Sequence, residues 1–217
     1  ECNNPYGTGS TAQNACPAGR YSSGDSTICT KCQLGFYAKD TGNSECIDTP
    51  MGYEAINDGT DVAACAIGTE NPNLHGTCTA CNDGFYADLT ATIICTDVPN
   101  GNYAVYDGEV GAGATSFSPC PTGTYSVDGA TNLSGCSKCP SGRYGATAGL
   151  AICTDIPPGS YSDNADSNGQ GATSITECPA GRYSENGASS LNNCIACVRG
   201  SYANTDGMSG CLNADAG

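Results

Sequence analysis

Tryptophan is absent from this 217-residue chain, histidine occurs once and methionine twice. Core formers are scarce too: Leu, Ile, Val and Phe together supply 26 residues, 12% of the chain. Below roughly 20% of these residues, a strongly charged chain has the composition of a disordered one. The formal net charge here is −15. A single enzyme domain of this length buries a far larger aliphatic core, so that class is disfavoured. Bases number only seven (Lys31, Lys39, Lys138, Arg20, Arg143, Arg182 and Arg199) against 22 acids. Without a basic patch, nucleic acid and anionic membrane surfaces are poor partners. No run of 18 apolar residues occurs, so no segment reads as a bilayer-spanning helix. An initiator Met, a signal peptide and a hydrophobic tail are also missing, and the chain reads as a mature or trimmed segment whose anchor, if any, lies outside it.

What the chain has instead is 17 cysteines and 30 glycines. Cysteine at this density replaces a hydrophobic core with covalent staples and persists in an oxidising compartment, which places the chain outside the cell or on its surface. Sixteen of the cysteines form four quartets: Cys16/Cys29/Cys32/Cys46, Cys65/Cys78/Cys81/Cys95, Cys120/Cys136/Cys139/Cys153 and Cys178/Cys194/Cys197/Cys211. Their C-x2-C pairs begin at residues 29, 78, 136 and 194, at periods of 49, 58 and 58. Fixed spacing with variable loops is the signature of a tandem array. The repeats read as 16–64, 65–119, 120–177 and 178–217, the last incomplete at its final turn unit, with 1–15 the tail of a preceding repeat.

Each quartet splits into two half-modules opening Cys-x-x-Gly-x-Tyr, as in Cys16-Pro-Ala-Gly19-Arg-Tyr21 and Cys32-Gln-Leu-Gly35-Phe-Tyr37. The glycine suits a turn with positive φ. Tyrosine brings a large ring with a polar tip, suited to covering a disulfide while the hydroxyl stays wet. The exception is Glu70, which stands in the tyrosine position. Between quartets lies a cysteine-free version of the same unit: Pro50-Met-Gly52-Tyr53, Pro99-Asn-Gly101-Asn-Tyr103 and Pro157-Pro-Gly159-Ser-Tyr161. It reads as a third, uncrosslinked turn unit. Helical periodicity is missing throughout, which leaves short β-hairpins and irregular loops. The predicted fold is a small disulfide-rich one: an elongated tandem array of half-modules, almost without helix.

The simplest pairing closes each half-module on itself, as Cys16–Cys29, Cys32–Cys46, Cys65–Cys78, Cys81–Cys95, Cys120–Cys136, Cys139–Cys153, Cys178–Cys194 and Cys197–Cys211. Each such loop is worth about 3 kcal/mol by chain entropy. An interleaved pattern within each quartet stays open. Cys2 falls outside the quartets. Cys2-Asn-Asn-Pro5 parallels Cys46-Ile-Asp-Thr-Pro50, which makes Cys2 the last cysteine of a preceding quartet. Its partner is an upstream repeat of a longer array, another subunit of a polymer, or Cys16; a free thiol is the remaining possibility.

The opening Cys-Pro-x-Gly-x-Tyr-Ser of Cys16, Cys120 and Cys178, followed by C-x2-C, resembles the ephrin-receptor-like and TNF-receptor-like cysteine-rich repeats. Tandem arrays of this kind are also similar to protist surface coats, notably ciliate immobilisation antigens. The resemblance spans residues 16–211. It implies the style of fold and a cell-surface setting, whereas function differs among such proteins. Repeats three and four are close copies, including Gly113-Ala-Thr-Ser116 against Gly171-Ala-Thr-Ser174, which favours a structural array over a unique ligand epitope.

Other constellations are weaker. The C-x2-C pairs lie too far apart for a zinc ribbon, and His75 is the sole histidine, so no metal and no cofactor is expected. Asn164-x-Asp166-x-Asn168-Gly169 starts like a calcium loop, but Ile175 stands where the closing Glu belongs. No nucleophile–base set assembles around His75, so the chain is not expected to be an enzyme. Arg20, Arg143 and Arg182 recur in Gly-Arg-Tyr, as guanidinium groups stacked on a ring or paired with an acid, or as a basic row that docks an acidic neighbour. Asn132-Leu-Ser134 is a candidate N-glycosylation site, and 42 Ser and Thr residues leave room for O-linked glycan. The expected function is a non-enzymatic, acidic, extracellular structural protein, a rod-like repeat of a surface coat or filament that self-associates head to tail. The alternative is the ligand-binding ectodomain of a receptor or adhesin.

Overall fold

The computed structural model describes residues 15–23, 28–107 and 113–214; Cys2 therefore lies outside the described residues, and Cys16, one of its expected partners, is bonded to Cys29. The chain packs as two lobes, one comprising residues 1–96 and 106–116, the other 97–105 and 117–217. Both are built from the same unit.

That unit begins with a four-residue turn. The N–H of Arg20 donates to the Pro17 carbonyl at 3.2 Å, and the same bond recurs at ten further turns, down to Ser201 and Val198 at 3.0 Å. The third residue is always glycine: Gly19, Gly35, Gly52, Gly68, Gly84, Gly101, Gly123, Gly142, Gly159, Gly181 and Gly200, with φ between +76° and +88°. Eight of these units are the cysteine half-modules, and three are the cysteine-free segments around Gly52, Gly101 and Gly159.

From each turn a short strand runs into a two-stranded sheet. Half-module strands hold two residues, as in Arg20–Tyr21 against Thr30–Lys31 and Arg143–Tyr144 against Thr154–Asp155. Cysteine-free units have four-residue strands: Tyr53–Ile56 against Asp61–Ala64, and Ser160–Asp163 against Ser174–Glu177. These pairs are antiparallel. No α-helix forms among the described residues; three single 3-10 turns occur, at Asn57–Gly59, Leu133–Gly135 and Leu191–Asn193. Two-residue strands cannot stabilise a sheet alone, so the units depend on what joins each to the next.

Within each lobe the joining is done by backbone. The Gly19 N–H donates to the Ala38 carbonyl of the following unit at 2.7 Å. Gly52, Gly68, Gly101, Gly123, Gly159 and Gly181 repeat this bond to Asn71, Ala87, Ser126, Gly145, Ser184 and Ala203, at 2.8–2.9 Å. The glycine carbonyl accepts from the residue that opens the next unit, as in Cys32 N–H to Gly19 at 2.9 Å and Cys139 N–H to Gly123 at 2.8 Å. At the step into a cysteine-free unit the N–H after the aromatic strand residue takes over: Ala38, Ala87 and Gly145 donate to Gly59, Ala114 and Ala172 at 2.8–3.0 Å.

Glycine is required for a second reason. A methyl group on Gly159 would lie 2.0 Å from the Gly207 carbonyl oxygen, and one on Gly123 would lie 2.3 Å from that of Gly171. In both cases the obstructing carbonyl belongs to the unit two further on. Gly19, Gly35, Gly52, Gly68, Gly101 and Gly142 meet equivalent oxygens at 2.1–3.0 Å. Packing this tight admits only small side chains. The buried residues are chiefly half-cystines and alanines, with Val98 and Ile156 the larger exceptions. Large aliphatics sit outside: Leu34 is 76% exposed, Val198 75% and Ile28 70%.

Thr49 occupies the position that Val98 and Ile156 hold in later repeats, and its fully buried hydroxyl has no partner. Thr49→Val is expected to stabilise the oxidised chain by about 1 kcal/mol, read from chemical denaturation, because it removes an unsatisfied buried hydroxyl. Gly159→Ala is expected to cost about 3 kcal/mol or more, combining left-handed strain with the carbonyl clash. A neutral outcome there would mean the stack has slack.

Candidate functional site

The predicted site residues are mostly cysteines, and the structure joins them within their own half-modules. Cys16 bonds Cys29, Cys32 bonds Cys46, Cys65 bonds Cys78 and Cys81 bonds Cys95. Cys120 bonds Cys136, Cys139 bonds Cys153, Cys178 bonds Cys194 and Cys197 bonds Cys211. No disulfide among the described residues links one turn unit to another. The Cα–Cα separations, 5.4–5.8 Å, fall in the ordinary range. No free cysteine remains among the described residues.

Six of the seven basic groups are likewise engaged within the fold. Lys31 reaches Asp58 at 2.8 Å and Lys138 reaches Asp166 at 2.9 Å. Each lysine precedes the second half-module of its quartet, and each partner lies in the cysteine-free unit that follows. Lys39 pairs loosely with Asp61 at 3.8 Å. In the Gly-Arg-Tyr motifs, Arg143 pairs with Asp155 across its own hairpin at 2.7 Å. Arg20 and Arg182 instead donate to the Cys29 and Cys194 carbonyls, at 3.1 and 2.9 Å. The three guanidinium groups thus each bond within their own hairpin.

Glu70, the residue in place of the motif tyrosine, accepts from the Cys95 N–H of the following unit at 2.5 Å, and Glu54 accepts from Cys78 N–H at 3.1 Å. Asp166 accepts from the N–H groups of Asn168 and Gln170 at 2.9 and 3.0 Å, so its carboxylate closes its own turn. His75 lies in a loop with φ +66°, stacks on Phe36 with centroids 4.3 Å apart, and meets Asp48 at 2.8 Å. Among the described residues no group of three His, Cys, Asp or Glu side chains is placed to hold a metal. No described helix is long and apolar enough to cross a membrane. One shallow depression of 410 Å³ is lined by Lys31, Phe36, Asp58 and Gly59, and brings no nucleophile to a base.

No protein-family model matches the chain. It is 30% identical over 164 residues, 75% of its length, to the rat (Rattus norvegicus) protein "Sushi, von Willebrand factor type A, EGF and pentraxin domain-containing protein 1". The chain spans 3% of that protein's length. The chain is an array of cysteine-rich, disulfide-closed repeats. Neither the receptor-like nor the ciliate resemblance is resolved further by this similarity.

Asn132 is exposed at the start of the 3-10 turn Leu133–Gly135. Its side-chain oxygen accepts from the Ser134 N–H at 2.9 Å and from the Ser134 hydroxyl at 2.5 Å, and its amide donates to Thr131 at 3.3 Å. The sequon is therefore presented at the surface, in a compact turn.

Sequence reasoning missed one set of residues. The position just after the motif tyrosine is the inward one: Ala38 is fully buried, Ala87 is 3% exposed, Ser126 4% and Ser184 2%. Small size is the signal that could have found it, since alanine, serine or glycine fills this position in nearly every half-module.

The Lys31–Asp58 contact gives a pH signature. The lysine, by hydrogen bond first and by charge second, holds the Asp58 carboxyl below its ordinary value of 3.8. A lowered folded-state pKa means the contact favours the fold at neutral pH and loses its effect as pH falls through that lowered value. NMR titration is expected to place the Asp58 midpoint below 3.8 and return it towards that value in Lys31→Met. An unchanged midpoint would show that the contact does not persist in solution. Both groups are more than half exposed, so little change in overall stability should accompany it.

Proposed function

We propose that this chain is a non-enzymatic extracellular structural protein: a rod-like, disulfide-stapled repeat of a cell-surface coat or filament, assembling head to tail. The observation that carries this reading is the backbone relay. Ten of the eleven turn glycines give their N–H or their carbonyl to the next unit, so each of these units extends its neighbour. Disulfides confined to single loops, a small-residue interior and ion pairs made between parts of the same fold all support a scaffold in preference to a reacting site. The eight disulfides support an oxidising compartment. Dense negative charge keeps such a surface hydrated, and short locked loops resist proteases.

A receptor or adhesin ectodomain is the second reading. The exposed aliphatics Leu34, Val198 and Leu89 favour it, because each offers apolar contact area at the surface.

The test is proteolysis of native material before and after reduction. The oxidised protein is expected to resist digestion, with no thiol among residues 15–214 labelled after denaturation without reductant. Reduction is expected to abolish resistance, because 12% Leu, Ile, Val and Phe cannot hold the fold. Several labelled thiols in the unreduced protein, or resistance that survives reduction, would overturn the scaffold reading. Labelling by an impermeant reagent on intact source cells checks the location.

A further inference from the structure

Repeats three and four share an enlargement of their first loop that the earlier repeats lack. Cys120–Cys136 and Cys178–Cys194 each close a sequence separation of 16, against 13 for Cys16–Cys29 and Cys65–Cys78. The added length forms a 3-10 turn in both, at Leu133–Gly135 and Leu191–Asn193. The same backbone bonds hold the two turns. Gly135 and Cys136 donate to the Asn132 and Leu133 carbonyls at 3.0 and 3.1 Å. Asn193 and Cys194 donate to the Ser190 and Leu191 carbonyls at 3.0 Å.

The residue that opens each turn is used differently. Ser190 makes no side-chain bond to the backbone of its turn, whereas the Asn132 side chain does. The turn therefore forms without an asparagine, and the fold has no need of this side chain. Its arrangement is instead a chemical one. Asn132 Oδ1 accepts from both the N–H and the hydroxyl of Ser134, at 2.9 and 2.5 Å. Two donors on one amide oxygen stabilise the negative charge that grows there as the amide nitrogen loses a proton. An ordinarily inert carboxamide is thereby biased towards reaction at nitrogen. Nδ2 makes one long bond, to the Thr131 hydroxyl at 3.3 Å, and residues 132–135 are all exposed. No other Asn-x-Ser or Asn-x-Thr sequence without an intervening Pro occurs in the chain.

We propose that Asn132 carries an N-linked glycan, attached at Nδ2, on the outer side of the enlarged loop of repeat three. This rests on the extracellular reading above and adds a covalent modification to it. The donor is a sugar held on a lipid diphosphate. Its C1–O bond breaks, the C1–Nδ2 bond forms, a proton leaves Nδ2, and the diphosphate departs with the electron pair. The contacts that prepare the amide lie within residues 131–135, so they assemble locally and need no completed stack. The glycan would stand beside Leu133, which is 52% exposed, and distinguish repeat three from its near copy.

The experiment treats native material with an amidase that releases N-linked glycans, in water carrying heavy oxygen. The chain is expected to lose mass, and peptide mapping to find Asn132 converted to heavy-oxygen-labelled Asp. Ser134→Ala, expressed in the source cells, should keep its eight disulfides while occupancy falls about tenfold or more, as on losing one donor to a developing oxyanion. Ser134→Thr should keep the glycan. The proposal is overturned if Asn132 stays unlabelled Asn, or if Ser134→Ala is as fully occupied as the parent. An unmodified Asn132 in a chain that an impermeant reagent labels on intact cells overturns this site alone. An unmodified Asn132 in a chain shielded from that reagent overturns the extracellular reading as well. A glycan on a chain whose protease resistance survives reduction overturns the scaffold reading and upholds the site.

Discussion

The structure depends on how closely one backbone lies against the next. Where a turn glycine meets a carbonyl from two units on, there is no space for even one carbon atom, and most of the fold follows from that. The interior is chiefly alanine, serine and cystine because little that is larger fits between units so spaced, Val98, Ile156, Asn71 and Thr49 being the exceptions. Large aliphatics are displaced to the outside, an inversion of the usual globular arrangement. Hydrophobic burial is accordingly small, and the disulfides, each closing a loop with a sequence separation of 13–16, lower the entropy of the unfolded chain in its place.

The relay also explains why the sequence can vary as it does. The contacts that join units are N–H to carbonyl bonds, which are indifferent to side-chain identity. Loops between the first two cysteines of a quartet differ by three residues between early and late repeats without disturbing the turn or the bond it makes. Side-chain bonds such as Glu70 to the Cys95 amide are local substitutions on this backbone frame. Lysines that precede the second half-module, Lys31 and Lys138, bridge to the cysteine-free unit that follows and fasten a unit that has no disulfide of its own.

Much of this was legible in the sequence, and for a physical reason. Cysteine spacing, a glycine that permits positive φ and a following tyrosine are local signals, and the hairpins they specify are local objects. Segments such as Pro157–Tyr161 could be recognised as further turn units because they keep the turn residues after losing the cysteines. What stayed hidden is the stacking, which is non-local: nothing in Gly68 alone announces that Gly113 will lie on it. The guanidinium groups illustrate the same limit. Ring stacking, acid pairing and a docking row are the alternatives the sequence offers for Arg20 and Arg182, whereas both reach the cysteine carbonyl just before the opposite strand, a kind of partner present at every residue and so invisible to pattern.

Because each disulfide closes only its own loop, a pull on the chain travels through sulfur rather than through the loop. From Cys16 the load crosses to Cys29, passes two residues to Cys32 and crosses again to Cys46. The sixteen-cysteine array is thus nearly inextensible along its stapled stretches. Slack exists only in the cysteine-free spans, 18 residues between Cys46 and Cys65 and 24 in each of the next two. Drawn out fully, each spans on the order of 60–80 Å when a covalent bond begins to bear the force. The protein is therefore a series of stiff links separated by yielding ones, and a strong tug is absorbed at three regularly spaced hairpins while the stapled modules keep their shape.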